Sequence, residues 1–124
     1  NGNAPGDVDW IDYVWASGLR NPYSGDVDPA TGRYFINDVG EGTWEEINDA
    51  TSAGENFGWP TTEGYFNATT YPDFTNPFYA YSHSSDCAIT GGAFNSTAIV
   101  QFPAQYQGKY FFSQFCAGKI RVID

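Results

Sequence analysis

The chain has no methionine, a single histidine (His83), two cysteines and only five basic residues, and each shortage removes something. Without methionine the sequence is expected to be a mature or excised piece of a longer translation product. The lack of a visible signal peptide then carries no weight, because processing removes such segments. One histidine is too few for most zinc clusters and Ser-His-Asp arrangements, and beside Ser and Tyr it reads as a hydrogen-bonded structural residue rather than a base. No phosphate-binding glycine loop is present. No apolar run approaches the roughly 20 residues of a membrane span. No window sustains a capped 3.6-residue apolar period, so long amphipathic helices are not expected.

The shortage of bases is also uneven. Residues 1–63 hold 12 acids and 2 bases, whereas residues 64–124 hold 3 of each, so the first half carries the whole net charge of −10. Such a surface repels nucleic acid and anionic membrane and favours cations, with plain solubility as an equally physical reading.

What is there points to an all-β domain. The 124 residues, 41% hydrophobic and 19% aromatic, suffice for one small domain over residues 1–124 with a real core. Fourteen glycines and seven prolines spread along the chain argue for many short elements joined by turns. Strand-length apolar runs recur at Tyr13 to Ala16, Arg33 to Ile36, Ala93 to Phe94, Lys109 to Ser113 and Lys119 to Ile123. Asp28-Pro29-Ala30-Thr31-Gly32 is a tight turn between two of them, with proline setting one dihedral and glycine allowing a positive φ. Trp44 to Ala50 is too short and too hemmed by glycine for more than one helical turn. The segment from Glu63 to Ser85, crowded with Tyr, Phe, Pro, Asn and Thr, reads as a long ordered loop whose aromatics cover a core, stack on a sugar or lie against a cofactor.

Residues 38–48, DVGEGTWEEIN, put four carboxylates (Asp38, Glu41, Glu45, Glu46) around two glycines and a tryptophan with no base among them. Either they lie on a solvated edge or something positive sits among them. Calcium accepts carboxylates and backbone carbonyls alike, and Gly40 and Gly42 let the backbone turn its oxygens inward. Asp7-x-Asp9 and Asp26-x-Asp28 lack the spaced oxygens and bidentate Glu of an EF-hand, which excludes that site. Arg20 and Asn21, in SGLRNP, precede a proline that holds the chain extended. A guanidinium fork beside a carboxamide suits a planar carboxylated ligand, and an arginine paired with a neighbouring acid is the alternative. Cys87 and Cys116 form a bridge or remain two buried thiols. With the sequons at Asn67 and Asn95 they favour the bridge and the secretory route, hence an extracellular glycoprotein.

The order of motifs carries more than any one of them: GLRNP, then DPATGRYFINDVGEGTWEEIN, NFGWP with EGY, YSHSSDCAITGG and GKYFFSQFCAGKI. From about Trp15 to Ile120 the chain resembles the glucose/sorbosone dehydrogenase family, which includes the soluble pyrroloquinoline quinone (PQQ) dependent sugar dehydrogenases and the Hedgehog-interacting-protein-like proteins. The resemblance implies a six-bladed β-propeller that holds PQQ and calcium on its axial face and oxidises aldoses to lactones. It places Arg20 and Asn21 at the cofactor, the carbonyls of Gly40 and Glu41 on the cofactor's calcium, and Glu46 in a second, structural calcium site. The sequence departs from the catalytic members at Glu41, where they carry proline. Their histidine base lies on an earlier blade and His83 does not match it.

A blade takes about 40 to 50 residues, so this chain is expected to supply two to three blades, a partial propeller with long ordered loops. Completing the ring requires the remainder of a longer chain or further copies. The sequence therefore supports two functions. One is a fragment of an extracellular, PQQ- and calcium-dependent aldose dehydrogenase, inactive as the isolated 124 residues. The other is a non-catalytic secreted calcium-binding glycoprotein module with a binding or structural role, a sugar or glycan being the ligand its aromatic loop suits.

Overall fold

The computed structural model describes residues 13–84, 86–99 and 102–124. Asp7 and Asp9 of the first acidic pair lie outside them. Strands dominate: β1 (Ala16–Ser17), β2 (Pro22–Val27), β3 (Tyr34–Asp38), β4 (Trp44–Asp49), β5 (Glu55–Asn56), β6 (Tyr79–Ser82), β7 (Ile89–Phe94), β8 (Tyr110–Gln114) and β9 (Lys119–Ile123). Four of them form an antiparallel sheet in the order β2-β3-β4-β6, three more a second antiparallel sheet in the order β7-β8-β9, and β1 pairs with β5 in a short parallel ribbon. These are consecutive blades of a partial β-propeller, the first with four strands and the second with three.

The pleat explains what lies between the blades. Side chains alternate across a strand, so Phe35 of β3 and Ile47 of β4 face the second blade. There they join Tyr81, Ile89, Tyr110 and Phe112 in the main core. Phe35 meets Phe94 at 4.9 Å and Tyr110 edge-on at 5.0 Å between ring centroids. The alternate residue Ile36 faces the other way, into a smaller cluster with Ala50 and Phe57. Burying an aromatic or aliphatic side chain of this size contributes about 1.5 to 3 kcal/mol, so the interface between blades carries much of the stability. Cys87 and Cys116 form a disulfide, with Cα atoms 5.2 Å apart, between the start of β7 and the turn after β8.

Two expectations are corrected. Trp44 to Ala50 is no helical turn: Trp44–Asp49 is the third strand of the first blade. Its pattern hides because Glu45, Glu46, Ile47 and Asn48 are all buried, as befits a strand covered on both faces. The segment from Glu63 to Ser85 is a loop only in its first part, since Tyr79–Ser82 pairs with β4 as the outer strand. Within the loop Phe66, Tyr71 and Phe74 pack on one another, with Tyr71 and Phe74 stacked at 5.7 Å. The Asp28–Gly32 turn forms as expected. The Asp28 carboxylate accepts the Ala30 N–H at 3.1 Å, and Gly32 has φ 76°.

Candidate functional site

The conspicuous acids are separated by the pleat. Glu45 and Glu46 are neighbours in sequence, yet Glu45 points to the second blade and Glu46 to the opposite face. Glu45 is wholly buried, and its two oxygens accept the N–H groups of Ala88 at 2.9 Å and Ile89 at 3.0 Å. Nδ1 of His83 lies 2.8 Å from the same carboxylate, off the line of a hydrogen bond, while the His83 N–H donates to the Thr43 carbonyl at 2.8 Å. His83 is thus part of the packing between blades.

The opposite face gathers Asp38, Glu46 and Glu63. Asp38 stands across from Glu46 in the β3–β4 register. Its carboxylate accepts the backbone N–H groups of Arg20 at 2.9 Å and Asn21 at 2.6 Å, which ties the SGLRNP turn to the end of β3. Burial pushes the Asp38 carboxyl above its ordinary value, and those two N–H groups with the Arg20 charge offset this only in part. Glu46 accepts the Gly64 N–H at 2.5 Å and the Asn48 amide at 3.2 Å. Burial raises its carboxyl too, and the nearby charges of Asp38 and Glu63 add to the effect.

Arg20 completes a corner. Its guanidinium donates to the carbonyls of Val39 at 3.1 Å and Gly40 at 3.0 Å, and lies 5.7 Å from the centre of the Trp59 ring. Gly40 is required there, since a Cβ would stand 1.6 Å from the Trp44 carbonyl oxygen. The Asn21 and Glu41 side chains are exposed beside it. Arg20, Asn21, Gly40 and Glu41 therefore converge from two segments on one corner, and Glu46 lies one strand further in.

Hard oxygen donors set the cation chemistry of this face. Gly40 offers a carbonyl, Glu46 a buried carboxylate, and the adjacent Asn48 a buried amide oxygen without a donor. Carbonyl and carboxylate oxygens fit calcium. Among the described residues no three His, Cys, Asp or Glu side chains form a metal cluster, so an ion here would draw on backbone carbonyls. For PQQ, a planar polyanion, the Arg20 fork and the exposed Asn21 amide are the fitting groups.

Two contributors escaped sequence reasoning. Asp38 lay inside the acidic stretch but had no role of its own. Glu63, in EGY, is the sole acid between Glu55 and Asp73, and that isolation is the one signal that could have singled it out. The sequons differ in setting: Asn67 is exposed, whereas Asn95 is buried with its amide nitrogen donating to the Tyr106 carbonyl at 2.8 Å.

Comparison with known proteins follows the same lines. The profile of the family described as Glucose / Sorbosone dehydrogenase matches residues 2–124. The HIPL2 protein of Arabidopsis thaliana is 35% identical over 98 residues, and the HIPL1 protein of the same plant 36% over 99; each match covers 65% of this chain. The chain spans only 14% of the length of either relative. Among solved structures, the PQQ-bound form of aldose sugar dehydrogenase from Streptomyces coelicolor superposes with a TM-score of 0.66 at 22% identity, covering 97% of this chain and 35% of that one. At that identity the likeness establishes the fold.

Proposed function

The chain belongs to the glucose/sorbosone dehydrogenase family, and on that premise we propose that it provides the cofactor corner of an extracellular aldose dehydrogenase that uses PQQ and calcium. The observation that carries this reading is the convergence of Arg20, Asn21, Gly40 and Glu41 at the ends of β2 and β3. Arg20 and Asn21 bind and orient the cofactor's polar groups, Gly40 and Glu41 present carbonyls to its calcium, and Glu46 with Asn48 serves a second, structural calcium. Bound PQQ would supply the two-electron acceptor for oxidation of the anomeric carbon of an aldose to a lactone. The proton acceptor belongs to another part of the propeller, because His83 lies in the packing between the blades against the buried Glu45. Further blades, from a longer chain or from other copies, cover the outward apolar residues such as Tyr13 and Ile120, which are 73% and 76% exposed. The Cys87–Cys116 bridge accords with an oxidising compartment, and Asn67 is the sequon whose setting suits a glycan.

The test is PQQ binding by the full-length protein with and without calcium, followed by dye reduction on adding aldoses. Calcium-dependent PQQ binding with aldose-driven reduction is the expected result. Reduction that proceeds equally without added PQQ and calcium would sink the reading. A second reading, a secreted calcium-binding module without redox activity, is favoured by Glu41, which stands where the catalytic dehydrogenases carry proline. It expects calcium to raise thermal stability while aldoses leave the dye oxidised.

A further inference from the structure

Glu63 enters none of the assignments above, yet it holds the turn on which the calcium reading depends. Its Oε1 accepts three consecutive backbone N–H groups, from Glu41 at 2.7 Å, Gly42 at 3.3 Å and Thr43 at 3.5 Å. Successive N–H groups converging on one point make an anion nest, and here the anion is the protein's own carboxylate. Burial pushes that carboxyl up, but the N–H groups of Glu41, Gly42, Thr43 and Trp44 outweigh the effect and hold it below its ordinary value.

The planarity of the peptide bond turns this into a statement about the carbonyls. In a trans peptide the C=O of one residue and the N–H of the next point in opposite directions. The Glu41 N–H shares its plane with the Gly40 carbonyl, and the Gly42 N–H shares its plane with the Glu41 carbonyl. Drawing both N–H groups onto Glu63 therefore turns both carbonyls away from it. The Gly40 carbonyl is indeed on the far side, 3.0 Å from the Arg20 guanidinium. Glycine at position 40 is what lets the carboxylate in, because a Cβ there would stand 2.7 Å from Glu63 Oε1.

We propose that Glu63 is the positioning residue of the cation corner, fixing the direction of the Gly40 and Glu41 carbonyls by holding the N–H groups of the same two peptides. This rests on the calcium reading above and adds to it a residue that never touches the ion. The adjacent Gly64 holds Glu46 through its own N–H, so one dipeptide orients both groups of oxygen donors.

The experiment is a calcium titration of the full-length protein, followed by Trp44 and Trp59 fluorescence, with amide hydrogen exchange at Glu41–Thr43 measured without calcium. Glu63→Ala is expected to lose the protection of those amides and to bind calcium about tenfold more weakly, the scale of one lost charge-assisted hydrogen bond. Glu63→Gln keeps a neutral acceptor and is expected to fall between it and the parent, which supplies the measurement should the alanine variant not fold. Asp73→Asn, which removes an exposed charge, controls for net charge and is expected to match the parent. Parental calcium affinity in the Glu63 variants would overturn the role of Glu63 alone. A parent that binds no calcium would overturn the reading beneath it as well.

Discussion

Glu45 offers the sharpest test of how the two blades are joined. It sits on β4 of the first blade with none of its surface exposed, and its carboxylate takes the N–H groups of Ala88 and Ile89 at the entrance to β7 of the second. Glu45→Ala leaves both donors without a partner, at about 1 to 3 kcal/mol each, and opens a cavity where the side chain stood. Removing a buried charge returns part of its desolvation cost. The net expectation is a loss of about 3 to 5 kcal/mol, a large share of the roughly 5 to 15 kcal/mol that holds a typical native protein folded. Glu45→Gln retains one acceptor but sets an NH2 group against the other N–H, and is expected to cost roughly half as much. The assay is urea unfolding of the full-length protein followed by tryptophan fluorescence, with the exposed Asp73→Asn change as reference. A Glu45→Ala loss below about 1 kcal/mol would refute the view that this carboxylate staples the blades.

Other outcomes follow from the same contacts. Opening the Cys87–Cys116 bridge by Cys-to-Ser substitution at both positions frees a loop of sequence separation 29; on the chain-entropy account the loss is about 3 to 4 kcal/mol, read as a lower denaturation midpoint. Glycopeptide mapping of the protein expressed through a eukaryotic secretory pathway is expected to find a glycan on Asn67 and none on Asn95, whose amide nitrogen is committed to the Tyr106 carbonyl. The pH dependence without calcium has a definite sign. Asp38 and Glu46 have carboxyls raised by burial, so the folded state binds their protons more readily than the unfolded state, and stability rises as pH falls from neutral into their folded titration range. Asp49 is lowered: burial opposes its charge, but Thr51 and Arg33 prevail, so its contribution is lost as pH falls further, through its folded pKa. Urea midpoints taken across this range without calcium are expected to pass through a maximum at mildly acidic pH, and a monotonic decline from neutral pH would contradict the burial of Asp38 and Glu46.

Local pattern carried the strands it could carry. Lys119–Ile123 is a strand over the span its apolar run marks, and the runs around Arg33 to Ile36 and Lys109 to Ser113 shift by a residue or two. β2, PYSGDV, escaped because it forms through backbone pairing with β3 and shows no apolar alternation. β4 escaped for the reverse reason, being buried on both faces with acids among the buried residues. Most of what makes those acids tolerable lies far along the chain: the backbone partners of Glu45 are 43 and 44 residues away, that of Glu46 18 residues, and those of Glu63 20 to 22. Spacing within a window cannot show such contacts. The ordered motifs of the family resemblance single out Arg20, Asn21, Gly40 and Glu41, which the fold brings to one corner, whereas Asp38 and Glu63 emerge only from contacts between distant segments.

The crowding of carboxylates in residues 38–48 left two readings, a solvated edge or something positive among them. The contacts answer differently. Asp38 is held by the N–H groups of Arg20 and Asn21, Glu45 by Ala88 and Ile89, Glu46 by Gly64, and Glu63 by Glu41 to Thr43. Each acid draws in backbone donors from a different part of the chain, and hydrogen bonds to a charged acceptor contribute about 1.5 to 3 kcal/mol apiece. These backbone donors offset part of the cost of holding the buried charges at Asp38 and Glu46, and the fold is expected to form without an ion. Calcium at Glu46 or at the Gly40 carbonyl would add stability to a folded scaffold, unlike the metal of a zinc finger, without which the chain is unfolded. Chelation is therefore expected to lower the urea midpoint of the full-length protein while its far-ultraviolet circular dichroism at zero urea stays that of a β protein. Collapse of that spectrum on chelation would mean that the ion, and not the backbone, holds the carboxylates in place.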